Sequence, residues 1–251
     1  MSKNKFNIRI HFIRGEEVKF ISHLDIMRTF GRAMRRAKIP VAYTQGFNPQ
    51  PIIVFGLPLS VGVTSLTEYA DIELTETVSP EGLKDTLNKE LPAGLKILNA
   101  DVKHDQKNIM SLIYAASYEI FVCTENNETT SKIETTNKND ITNKIKKFLK
   151  KDTIEAIKEG KKGTKEIDIK PMIFDLDIKT MDKINMISNK YIDRGDVYKI
   201  TALLRAGGEA NLKPDLLISA INKHTDLDLK IIRIHRTGLF INKDGILVKP
   251  L

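Results

Sequence analysis

Apolar and polar residues change their spacing several times along the chain, and each change marks a new element. Residues 7–13 alternate with period two, as a strand with one buried face does. From residue 22 to 38 the spacing becomes three and four. Met27, Phe30, Met34 and Ala37 then fall on one side of a helix, and Arg28, Arg32, Arg35 and Arg36 on the other. Pro40 stops that helix, because the residue before a proline is pushed out of the helical region. Residues 41–44 and 52–59 are extended and apolar, and 68–74 alternate again. Ser79 opens a second helix as S-P-E-G-L-K, with Pro80 suited to the first helical position and Glu81 to the positive end. Leu83, Leu87 and Leu91 form its buried stripe, and 95–102 returns as a strand. The order is β-α-β-β-α-β with an added strand near the middle hairpin, the ferredoxin-like arrangement.

The order repeats more loosely afterwards. Residues 118–123 read as a strand, 141–151 as a helix and 153–157 as a strand, while 124–143, rich in Asn, Thr and charge, reads as a solvated loop or a frayed helix start. Segment 167–178 mixes acids, Lys and large apolar residues, and its pattern assigns no element. A strand over 198–204, a Gly-containing turn over 206–212, a helix over 213–223 with Pro214 in its first turn and a strand over 229–240 complete the second half. Asp244-Gly245 reads as a tight hairpin turn. The expected class is α+β: two tandem ferredoxin-like (βαββαβ) units with antiparallel sheets, over 1–104 and 117–251, joined by a connection at 105–116. A single larger α+β domain is the alternative.

Composition narrows the function. Forty Lys and Arg against 32 Asp and Glu give a net charge of +8, which favours nucleic acid or another acidic surface as partner. The single Cys123 excludes an internal disulfide and any cysteine-rich metal or iron–sulfur cluster held by this chain alone, and points to a reducing, cytoplasmic setting. The first residues lead directly into the alternating run, without the apolar stretch of a signal peptide, and the apolar run 51–63 is too short and too broken by Gly56 and Pro58 to span a bilayer. Neither a membrane partner nor a metal or cofactor is expected.

The arginine face is the strongest candidate site. Guanidinium forks match phosphate oxygens, and a spacing of three or four residues lines them up along a helix. Only Asp25 and Lys38 accompany them locally, although a solvated charged face is the simpler reading. In the loop that follows, Tyr43 and Phe47 offer rings on which bases stack, and Gln45 and Asn48 offer amides for base edges. Phe47 could instead pin the loop to the core, and Gly46 supplies a backbone angle other residues resist. Arg233, His235 and Arg236 extend the basic surface, with strand alternation placing Arg233 and His235 on one face and Arg236 on the other. The lysine-rich stretch 158–170, whose Gly160 and Gly163 would let the backbone approach a ligand, is a solubilising turn or at most a secondary contact. His23 could serve as a general acid or base in metal-free phosphodiester cleavage, whereas Ser22 and Asp25 fit a helix cap with His23 merely beside it.

The run K-F-I-S-H-L-D-I-M-R-T-F-x-R-A-M-R-R-A-x-I-P-V-A-Y-T-Q-G-F-N-P-x-P, followed by L-P-L-S-V-G-V and E-Y-A-D-I-E-L, resembles the bacterial radical-SAM-linked protein family, a domain of unknown function. I-D-I-K-P, the Lys213-Pro214 helix start and R-I-H-R-T-G-L-F agree with it, so the resemblance covers nearly the whole chain. It implies a radical SAM protein as partner, since members occur alone or fused to one, and implies no reaction. More distantly, the helix and loop are similar to ferredoxin-like CRISPR repeat-processing endoribonucleases. The glycine-rich loop of those enzymes has no clear counterpart, because R-A-G-G-E-A-N and R-T-G-L-F are too sparse, and this weakens a nuclease role for His23. The expected protein is a cytoplasmic, non-catalytic accessory that binds RNA or a ribonucleoprotein beside a radical SAM enzyme. The alternatives are an endoribonuclease using His23 and a protein-interaction module that presents substrate to a radical SAM partner.

Overall fold

A computed structural model describes residues 6–104, 106–124, 138–160, 163–181 and 196–251. The loop or frayed helix expected over 124–143 lies outside these residues between 125 and 137. Two compact units divide the chain: Met1–Ala116 with Ala206–Glu209 and His235–Leu251, and Ser117–Arg205 with Ala210–Ile234.

In the first unit the order is β1 (Phe6–Arg14), α1 (His23–Arg36), β2 (Ile53–Phe55), β3 (Thr64–Leu74), α2 (Pro80–Glu90) and β4 (Leu95–Val102). β1 is antiparallel to β3 on one side, with Ile8 opposite Ile72, and to β4 on the other, with Ile10 opposite Ala100. β2 joins the free side of β3, so the strands run β4-β1-β3-β2, the ferredoxin-like order. Segment 41–44 makes only isolated bridges, Val41 to Leu74 and Tyr43 to Pro51. Ile8, Ile10 and Phe12 of β1 meet Ala70 and Ile72 of β3 and the buried faces of both helices in one core. Phe12, Phe30 and Phe55 meet there edge to face at 5.1 to 6.0 Å, the arrangement aromatic quadrupoles favour.

Helix α1 buries Ile26, Phe30, Ala33 and Met34, and Met27 and Ala37 pack partly buried beside them. It starts where Ser22 Oγ accepts the Asp25 amide. It ends in a Schellman motif, the Ile39 amide donating to Met34 O and the Lys38 amide to Arg35 O, with Lys38 at a left-handed φ of 52°. Beyond the ferredoxin-like set, this unit adds the single turn α3 (Ile109–Leu112), the start of β5 (Ile113–Thr124), the later part of β10 (Leu229–Lys243) and β11 (Ile246–Val248). β10 enters in parallel beside the start of β3, His235 opposite Thr64, and the Asp244-Gly245 turn returns the chain as β11.

The second unit repeats the topology with β5, α4 (Lys138–Leu149), β8 (Ile173–Met181), β9 (Val197–Arg205), α5 (Pro214–Thr225) and β10, and its strands run β10-β5-β9-β8. A separate hairpin, β6 (Glu155–Gly160) with β7 (Gly163–Asp168), stands between α4 and β8. The strand expected at 153–157 belongs to this hairpin and not to the main sheet. β8, which the pattern of 167–178 left unassigned, is an end strand burying only Leu176 and Ile178, so its alternation is short and diluted by Asp175 and Asp177. No helix among the described residues is long and apolar enough to cross a membrane.

Candidate nucleic-acid interface

Helix α1 and the loop after it enclose a cleft of about 490 Å³, lined by Leu24, Met27, Arg28, Gly31, Arg32 and Arg35 from the helix and by Asn48, Gln50, Pro51 and Ile53 from the loop side. The helical period explains the set: positions 24, 28, 31, 32 and 35 share one stripe, while Arg36 is turned about 80° from Arg28. Gly31 is the hinge of the arrangement. A Cβ there would lie 3.2 Å from Pro51 Cγ, so the missing side chain lets the loop close onto the helix. The helix propensity sacrificed at Gly31, about 1 kcal/mol, is offset by that packing.

The loop is built as a stem and a tip. Tyr43 bridges to Pro51, the Thr44 amide donates to Gln50 O at 2.9 Å and the Gln50 amide to Thr44 Oγ1 at 3.0 Å. Residues 45–49 project beyond these bonds, and Gly46 turns the tip at φ 126°, a conformation that side chains other than glycine resist. Phe47 is fully exposed at 111%, so it does not pin the loop to the core. Tyr43 is exposed at 37%, Gln45 and Asn48 are exposed, and the Gln50 side-chain amide donates to Asn48 Oδ1 at 3.2 Å.

The four arginines divide by partner. Arg28 Nη1 meets Asp25 Oδ1 at 3.1 Å, both groups half in solvent. The Ser22 hydroxyl and then Arg28 hold the Asp25 carboxyl below its usual range. Arg36 leaves the site: its Nε donates to Glu90 Oε2 at 2.7 Å and its Nη2 to Glu90 O, tying α1 to the end of α2. The local sequence holds no acid for Arg36, but Glu90, 54 residues later, supplies one. Among the described residues the Arg32 and Arg35 guanidiniums have no hydrogen bond or ion pair.

The remaining candidates stand elsewhere. Arg236 is 3% exposed, so it cannot act as a surface cation; its Nη1 donates to Glu68 Oε1 at 2.9 Å and Oε2 at 3.1 Å, and its guanidinium also reaches Leu57 O and Pro58 O. His235, half-buried, sets Nδ1 2.6 Å from Thr64 Oγ1, and Arg233 is exposed on β10; neither lines the cleft. His23 packs edge-on against Phe55, 5.4 Å between centroids, and burial followed by the nearby Arg14 charge lowers its pKa. It caps no group in the cleft and does not line it. In the second unit the β6–β7 hairpin sets Lys158 opposite Lys165, both exposed. Sequence reasoning missed Gln50 and Pro51, whose only signal was their place at the end of a loop that closes on a mid-helix glycine. No group of three or more His, Cys, Asp or Glu that could hold a metal occurs among the described residues.

Among solved structures, one likeness is to a "Cbf5-Nop10-Gar1 Complex", at 10% identity and a TM-score of 0.48, covering 97% of this chain and 52% of that one. The chain thus spans about half the length of that match. Another is to an "Unknown Protein from Galdieria sulphuraria", at 10% identity and a TM-score of 0.25, covering 91% and 98% of the two chains. Likenesses this loose carry no argument about the site. No curated protein matches the chain. Residues 7–214 match a family model described as "Uncharacterized protein conserved in bacteria (DUF2344)", and the span includes β1 but for Phe6, all of α1, the loop and its cleft. With most of its length so matched, the chain belongs to this bacterial family.

Proposed function

We propose that this protein binds RNA, alone or in a ribonucleoprotein, through the arginine cleft of α1. One observation carries the reading: Arg28, Arg32 and Arg35 line a single cleft, and the guanidiniums of Arg32 and Arg35 form no ion pair with an acid among the described residues. Both side chains are exposed and so accessible to an anion, and planar guanidiniums suit phosphate. The net charge of +8 adds long-range attraction for a polyanion. The resemblance to the radical-SAM-linked family, which runs over nearly the whole chain, supports a role beside a radical SAM enzyme, and the single Cys123 suits a cytoplasmic accessory. A nuclease centred on His23 is disfavoured because its ring is packed on Phe55 outside the cleft.

The test is RNA affinity against salt for the wild type and for Arg28→Ala/Arg32→Ala/Arg35→Ala. Removing one arginine–phosphate pairing flattens the slope of log affinity against log salt by about 0.7 on a single strand. A folded triple variant with unchanged affinity and slope would refute the proposal. Sequencing of RNA crosslinked to the protein in cells, with mass spectrometry of what accompanies it, identifies the target and the partner.

A further inference from the structure

Two features stand here that a phosphate site alone does not need: a cleft walled by helix and loop, and, next in sequence to the cleft-lining Asn48, a bare aromatic ring at the tip of a braced stem. We propose that the cleft accepts RNA only as a single strand, with backbone phosphates along Arg28, Arg32 and Arg35 and one unstacked base lying on Phe47; this rests on the RNA-binding reading above. Arg28 to Arg35 spans about 10 Å along the helix axis, so the cations form a line and not a point. The opposite wall is the loop seated on Gly31 through Pro51. A cleft of about 490 Å³ is of the size that takes small ligands, with room for about one nucleotide.

The ring supplies the second argument. Phe47 is wholly exposed, yet its loop is closed by the Thr44 and Gln50 bonds and turned by Gly46. An aromatic side chain wholly in water contributes no core packing, and its flat face is what an unpaired base requires. In a duplex both faces of each internal base are covered by its neighbours, so no ring on a loop could reach one without unstacking it. Beside the ring, the Asn48 and Gln50 amides line the wall and can hydrogen-bond a base edge. An acidic peptide would satisfy the arginines but would bring no π-face to Phe47.

Fluorescence anisotropy of the full chain with a short labelled oligoadenylate, free or annealed to its oligouridylate complement, tests the inference. The single strand is expected to bind at least about ten-fold more tightly than the duplex. Phe47→Ala should weaken single-strand binding about 5- to 100-fold, the range of base–aromatic stacking, and leave the salt slope unchanged because every arginine–phosphate pairing remains. Phe47→Trp should restore binding, and Phe20→Ala, which removes an exposed ring that precedes α1 and is not part of the loop, should change it little. Equal affinity for strand and duplex, no effect of Phe47→Ala, or full competition by oligoglutamate would each overturn the single-strand inference while the arginine slope still reported on RNA binding. Failure of the wild type to bind either RNA would overturn both readings.

Discussion

Replacing Glu68 removes the acid that holds Arg236, and the consequence can be worked out from the geometry. Glu68 and Arg236 are 4% and 3% exposed, and Arg236 Nη1 bonds both carboxylate oxygens. Arg14, 2% exposed, lies close enough for the Glu68 charge to oppose the lowering of its pKa by burial, while its own hydrogen bonds go to Val18 O and Ile21 O. One carboxylate therefore serves two buried guanidiniums. Glu68→Gln keeps the shape but takes the compensating charge away from both cations, and breaking a buried pair in this way costs about 3–5 kcal/mol. That is a large share of a stability of about 5–15 kcal/mol. Arg236→Met should cost less, because Arg14 still faces Glu68 and burial, which already pushes the Glu68 carboxyl up, favours relief by a proton. The double variant should cost less than the sum of the two. Urea unfolding followed by circular dichroism reads all three. A Glu68→Gln cost under about 1 kcal/mol, or an Arg236→Met cost equal to or above it, would show that the carboxylate does not hold the cluster together.

Further expectations concern titration, the helix end and the cleft. Burial lowers the pKa of both His11 and His23, so their contribution to stability is complete above about pH 6.5 and is lost as the pH falls toward their folded values. The urea midpoint should drop between neutral pH and about pH 5, and His11→Phe/His23→Phe should remove most of that drop; an identical drop in the double variant would count against the assignment. Lys38→Gly should raise stability by about 0.5–1 kcal/mol in thermal unfolding, because the left-handed C′ position strains any side chain. Gly31→Leu should both destabilise the fold and weaken RNA binding, since the new side chain must displace Pro51 and with it the loop; unchanged affinity would detach the loop from the site. Adding EDTA should leave the circular dichroism unchanged, and a loss of signal would reveal a metal site made of His and carboxylates.

Much of the architecture was legible because hydrophobic period is a local property. The alternation of 7–13, the Ser22 and Ser79 caps and the stripe of Phe30 and Met34 are written within one or two turns of chain, and the structure places these elements within a few residues of their expected bounds. The second ferredoxin-like unit was harder to read, since its end strand β8 buries only two side chains and so carries little signal. Residues 235–251 group with the first unit through pairs such as Arg236 with Glu68, 168 residues apart, which no local pattern encodes.

The candidate site divides in the same way. Residue order alone establishes that α1 carries a line of arginines and that a glycine-turned loop with aromatic and amide residues follows it. Which of those side chains stay exposed and which are buried or paired depends on the packing of distant segments, because partnership depends on what lies against each side chain. Glu90 claims Arg36 and burial claims Arg236, while Gly31 admits Pro51 and so brings the loop against Arg28, Arg32 and Arg35. Helical spacing can align like charges on a face, but whether a charge stays available is a matter of long-range electrostatics and packing, and those are set by the fold.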